Sequence, residues 1–203
     1  MRMDRLSLVL LVQVITAGVA WGQDRQHRLE SVKPAQCADG LQMLGLTSAP
    51  RSGDIRAAYD PVSDSTLATY APTGVMLQPH DGVNMVTGMM YIAKRPPSAL
   101  AYLELDLLVQ SPKPRSPDER QLVFRLDDTT RLKVGLAGAF AAPAFGGRGA
   151  VEHIVAMIPP DQALTLLRAE AVRGLLGSTV FQFSRRDRDG LRALALYARC
   201  GSQ

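Results

Sequence analysis

QLVFRLDDTTRLKVGLA, residues 121–137, alternates apolar and charged side chains on both sides of a short polar centre. Leu122, Phe124 and Leu126 fall on one face of an extended segment, and Leu132, Val134 and Leu136 fall on one face of the next. Arg125, Arg131 and Lys133 take the opposite faces. A period of two marks a half-buried strand. Asp127, Asp128, Thr129 and Thr130 between the runs suit a tight turn. The stretch therefore predicts a hairpin with one apolar face, and that face needs a core to pack against.

Upstream, the runs TLATYA (66–71), VNMVTGMMYIA (83–93) and LAYLELDLLV (100–109) follow one another, each bounded by Pro, Gly, Asp or Ser. This spacing favours antiparallel pairing. QSPKPRSPDER (110–120), with its three prolines, reads as a solvent loop. Downstream, the small residues of GAFAAPAFGGRG (138–149) break the pattern, and AVEHIVAMI (150–158) resumes it as a strand.

PPDQALTLLRAEAV then opens with prolines and Asp161, which a helix start tolerates and favours. Leu164, Leu167, Ala171 and Val172 would form its apolar face. STVFQF (178–183) reads as a strand, and Ser184 with Asp187 fits a helix-opening capping box. Leu191, Leu194, Ala195 and Ala198 recur at helical spacing, with Arg185, Arg188, Arg192 and Arg199 largely off that stripe. The order predicts an α+β fold: a largely antiparallel sheet or sandwich followed by a strand-helix-strand-helix part packed on it.

YDPVSDSTLATY, LVFRLDDTTRLKVG and FQFSRRDRDGLRALALYA together resemble segments of a group of uncharacterised exported bacterial proteins. The resemblance implies an exported β-rich domain and carries no catalytic residue across.

The amino terminus supports export independently. Arg2 and Arg5 precede an apolar run from Leu6 to Ile15, and Ala20 and Gly22 form a small-x-small site, which places cleavage before Gln23. The run is about ten residues, against the roughly 20 needed to span a bilayer. The expected organisation is a signal peptide over 1–22 and a single exported domain over 23–203. Within that domain 23–53 is an irregular lead-in with one short helix near Leu41, 54–149 is β-rich, and 150–203 is the β-α-β-α part.

Only two cysteines occur, Cys37 and Cys200. An oxidising compartment makes and keeps disulfides, so the pair is expected to bridge and to tie the last helix to the start of the domain. Loss of the signal removes Arg2, Arg5 and Asp4, so the formal charge falls from +4 to +3. Basic residues are scattered among acids with no interleaved aromatics, which excludes a nucleic-acid partner from the expectations.

Met76, His80, Met85, Met89 and Met90 gather in MLQPHDGVNMVTGMMY. Thioethers with an imidazole suit Cu(I), with core packing as the plainer account. On a regular strand Met85 and Met89 would share a face, with Met90 opposite. Asp60 and Asp64 lack the spacing of a calcium loop. Glu152 and His153 are adjacent on a strand and so point to opposite faces. No G-x-S-x-G, HExxH or phosphate-loop sequence occurs.

The reading is a monomeric or weakly associating exported protein, periplasmic or secreted. Its role would be noncatalytic, binding an unidentified envelope ligand or partner or serving as structure. The alternatives are an envelope hydrolase with unassigned residues and a Met/His copper-binding protein. The arginines of 185–199 read as a solvated helix face, or as a contact with an anionic envelope surface.

Overall fold

The computed structural model describes residues 30–33, 37–50, 55–60, 64–71, 83–93, 102–143 and 149–201, with the side chains of all but Asp60 and 83–93. The expected signal peptide and cleavage site therefore lie outside the described residues. The strands are β1 (Glu30–Val32), β2 (Ile55–Asp60), β3 (Ser65–Tyr70), β4 (Val83–Ala93), β5 (Leu103–Ser111), β6 (Leu122–Leu126), β7 (Thr130–Pro143), β8 (Ala150–Ile158), β9 (Val172–Leu176) and β10 (Thr179–Gln182). The helices are α1 (Ala38–Leu44), α2 (Pro160–Arg168) and α3 (Arg185–Cys200). Every pairing is antiparallel, in the order β1-β2-β3-β4-β5-β8-β7-β6-β9-β10, so the expected α+β class holds.

The hairpin of 121–137 forms as its alternation requires. Phe124 stands opposite Leu132 and Leu122 opposite Val134, and Leu122, Phe124, Leu126 and Val134 are buried. Asp127 and Asp128 turn the chain at φ 47° and 59°, a left-handed region that aspartate enters more readily than most residues. Asp127 Oδ1 also accepts from the amides of Glu170 and Ala171 at 2.9 and 2.8 Å, which ties the hairpin to the end of α2.

The second strand of this hairpin does not stop at Gly138. β7 continues to Pro143 by changing partner: Thr130–Val134 pair with β6, and Gly135–Pro143 pair with β8. The register slips between Leu136 and Gly138, and the small residues that broke the apolar pattern are what let a strand bend between two packed halves. The sheet curls until its far edge, β10, lies near β4.

Two further elements depart from expectation. The lead-in contains β1, paired to β2. The helix of 160–168 is shorter than its apolar face suggested, because Val172 belongs to β9, paired with β6 through Val172 opposite Leu126 and Leu176 opposite Leu122. Gly174 sits where a Cβ would collide with the Phe181 ring. That ring instead reaches Phe124, edge to face at 6.1 Å between centroids.

α3 begins with the expected capping box: Ser184 Oγ accepts from the Asp187 amide at 3.1 Å, and Asp187 Oδ2 accepts from the Ser184 amide at 2.8 Å. The helix is covered on two sides, by β2, β3 and β4 and by α1 and α2. Gly190 lets it approach the Tyr70 ring closely, and Tyr70 Oη donates to the Arg186 carbonyl at 3.2 Å. Leu191, Leu194, Ala195 and Ala198 are buried as expected, but so are Ala193, Leu196 and Arg192. Cys37 and Cys200 are placed at disulfide-bonding distance, with 5.7 Å between their Cα atoms. Cys37 Sγ also accepts from the Gly40 amide at 3.3 Å, at the start of α1.

Candidate functional site

Three polar constellations stand out, and the strands decide which of them meets solvent. On β8 the core face carries Ala150, Glu152, Ile154, Ala156 and Ile158, and the outer face carries Val151, His153, Val155 and Met157. Glu152 and His153 therefore do point apart, as alternation dictates.

Glu152 is fully buried. Its Oε2 accepts from Arg115 Nη1 at 3.1 Å, and its Oε1 accepts from Arg120 Nη2 at 2.9 Å and Nε at 3.1 Å. Arg115 Nη2 also donates to Thr179 Oγ1 at 2.9 Å. A carboxylate taken out of water needs such partners. The result is a clamp that pins the 112–121 connection across the end of the core and bridges it to β10. This role is structural.

On the outer face, His153 Nε2 lies 3.4 Å from Asp106 Oδ1, with Glu104 two positions along β5. Hydrogen bonding to Asp106 holds the imidazole above its usual pKa against burial, which pulls it down, and the charges of Asp106 and Glu104 add to the rise. The contact is long, and Asp106 Oδ1 has no well-aligned donor, so protonation of the ring is what strengthens it. Burial pushes Glu104 up, Asp106 pushes it further, and His153 opposes both. The exposed Phe140 stacks on His153 at 6.5 Å between centroids.

The third constellation comes from register. Arg125 stands directly opposite Arg131 on β7 and directly opposite Arg173 on β9. Three arginines thus form a transverse row on the exposed face of β7, β6 and β9. Asp128 Oδ1 lies 3.6 Å from Arg125 Nε and 3.4 Å from Arg173 Nη1. Among the described residues Arg131 and Lys133 have no side-chain partner. The next row runs Lys133, Val123, Leu175 and Val180, with Leu175 37% and Val180 69% exposed.

The candidates read from sequence fare unequally. Met76 and His80 lie outside the described residues. Met85 is registered opposite Leu107, Met89 opposite Glu104 and Met90 opposite Leu103. The register shifts between Met85 and Thr87, so the regular alternation on which a shared face for Met85 and Met89 rested is interrupted there. Among the described residues no group of three or more His, Cys, Asp or Glu side chains could hold a metal ion. Asp64 accepts from Tyr59 Oη at 2.6 Å, as a turn residue does.

Of the arginines in the basic helix, Arg185, Arg186 and Arg199 are exposed as expected, Arg188 is half-buried, and Arg192 departs from the solvated face. Arg192 is buried and donates to the Leu167 carbonyl at 2.8 Å, the Ala169 carbonyl at 3.0 Å and Glu170 Oε1 at 2.9 Å. It satisfies the carbonyls that the end of α2 leaves open. Arg188 donates to the Phe183 carbonyl at 2.9 Å, and Arg185 and Arg199 lie near Asp189 and Asp39. A second cationic surface lies on the sheet. Sequence reasoning placed Arg125 and Arg131 on polar strand faces but could not join Arg173 to them without the pairing of β6 with β9.

Comparison with known protein families, with curated proteins and with solved structures finds no match. No helix among the described residues is long and apolar enough to cross a membrane.

Proposed function

We propose that the chain is an exported, noncatalytic binding or structural protein of a bacterial cell envelope. One observation carries this reading: the outer face of β7, β6 and β9 lines up three arginines in register beside exposed Leu175 and Val180. Like charges directly opposed across strands destabilise a sheet, so the arrangement costs the fold and suits a partner. The cysteine pair supports the location, because a bridge between Cys37 and Cys200 persists in an oxidising compartment and is reduced in the cytosol.

Among the described residues, a hydrolase would draw on the Asp106–His153 pair. The outer-face positions of β5 and β8 around it (Glu104, Leu108, Gln110, Val151, Val155 and Met157) carry no Ser, Thr or Cys, while on β4 Thr87 stands opposite Asp106 in register.

Expression of the full chain in a Gram-negative host, followed by fractionation and intact mass, tests the proposal. The expected product is periplasmic or secreted, starts at or near Gln23 and carries no free thiol. Full-length protein with two free thiols in the cytoplasm overturns it.

A further inference from the structure

We propose that the outer face of β7, β6 and β9 is a docking surface for an anionic lipid bilayer. The proposal rests on the envelope reading above and gives the partner a chemistry. Arg131, Arg125, Arg173 and Lys133 share this face, and Asp128 is the acid that lies among them. Strands lie about 4.8 Å apart, so the three guanidinium stems span a row roughly 10 Å wide.

Internal pairing does not quench this charge. Asp128 must serve both Arg125 and Arg173, and the side chains of all three are more than half exposed, at 57%, 54% and 52% in that order. Pairs so exposed are worth little. The planar donors of arginine match phosphate oxygens two at a time; Arg125 turns Nε and Nη2 to the Asp128 carbonyl at 3.1 and 2.9 Å, and Arg131 beside it keeps its fork for a partner. An anionic partner removes the repulsion that the register builds in.

The neighbouring row selects the kind of anion. Val123, Leu175 and Val180 stand beside one another across β6, β9 and β10, and Val180 and Leu175 are exposed apolar side chains. A bilayer interface rewards both features, with cations at the headgroup phosphates and apolar side chains at the acyl boundary. A soluble polyanion rewards the charge alone. Single-stranded nucleic acid would also call for aromatic stacking platforms, and the outer-face positions Val123, Arg125, Arg173, Leu175, Val180 and Gln182 offer none.

The test is co-sedimentation of the oxidised full-length mature protein with vesicles of phosphatidylcholine alone, or of phosphatidylcholine and phosphatidylglycerol in equal parts. Binding is expected to the second and not the first, and to weaken as salt is added. Arg125→Gln and Arg173→Gln should each lower the vesicle affinity about fivefold, the usual worth of one cation at an anionic surface. Val180→Asp should lower it as well. Circular dichroism and the thermal midpoint of each variant check that these exposed changes leave the fold intact.

Equal binding to both vesicles, or binding to neither, overturns the proposal. So does binding that soluble polyphosphate abolishes while Val180→Asp leaves it unchanged, because that result assigns the face to a soluble polyanion. Failure with the vesicles alongside correct processing and export would sink the docking surface alone, whereas retention in the cytoplasm would sink the envelope reading.

Discussion

At the scale of single residues, His153 is the group whose protonation the fold feels. Asp106 and Glu104 raise its pKa above 6.5, so the folded state holds its proton more tightly than the unfolded chain does. The stability this contributes is complete below about pH 6.5 and is lost as pH rises through the folded value. Glu104, raised above 4.5 chiefly by burial, acts with the same sign in a lower window, since its ionisation opposes folding as pH climbs. The expected outcome is a thermal midpoint that falls as pH rises through the imidazole titration, with that slope missing in His153→Gln. A midpoint that rises over the same interval would contradict it. The sequence showed that Glu152 and His153 point apart, because alternation is local. It could not show that His153 meets Asp106, because that contact needs β5 beside β8, where Leu108 stands opposite His153. Arg192 was misread for a related reason: a stripe at helical spacing announces one covered face, and this helix has two.

At the scale of elements, what was legible depended on whether side chains carried the period. β6 and the first part of β7 were plain from Leu122, Phe124, Leu132 and Val134. β9 was hidden because Gly174, which makes room for Phe181, removes the middle apolar residue of its alternation, so Val172 was absorbed into the preceding helix. The later part of β7 was hidden by Gly135, Gly138 and a run of alanines. The terminal helix was legible in full, from the Ser184 cap to Cys200. Its end lies at disulfide-bonding distance from the start of α1 through the cysteine pair, and terminal elements fray unless tied down. Cys200→Ser should therefore cost about 2–5 kcal/mol in chemical denaturation. Hydrogen exchange should speed first in 37–46 and in the last turns of 185–200. Unchanged protection in both segments would refute the assignment.

At the scale of the whole molecule, two seams of the sheet join strands distant in sequence. β5 pairs with β8 through Leu103 opposite Ile158, and β6 pairs with β9 through Leu122 opposite Leu176, so these seams close only after long stretches of chain are brought together. Such topology folds slowly for its size. Refolding of the oxidised chain, followed by stopped-flow fluorescence, is expected on the millisecond-to-second scale, and microsecond refolding would contradict the pairing order. β7 gives that closure its cooperativity, since one backbone belongs to both halves of the sheet. The bridge between Cys37 and Cys200 has a mechanical consequence as well. Tension entering the chain before Cys37 and leaving after Cys200 crosses from one to the other through the sulfur atoms, at two points whose Cα atoms are 5.7 Å apart. Of the ten strands among the described residues only the three-residue β1 lies outside that loop. A pull on the two ends would peel this edge strand and then meet a link that does not lengthen, leaving β2 to α3 unloaded, as a buckle spares the strap behind it.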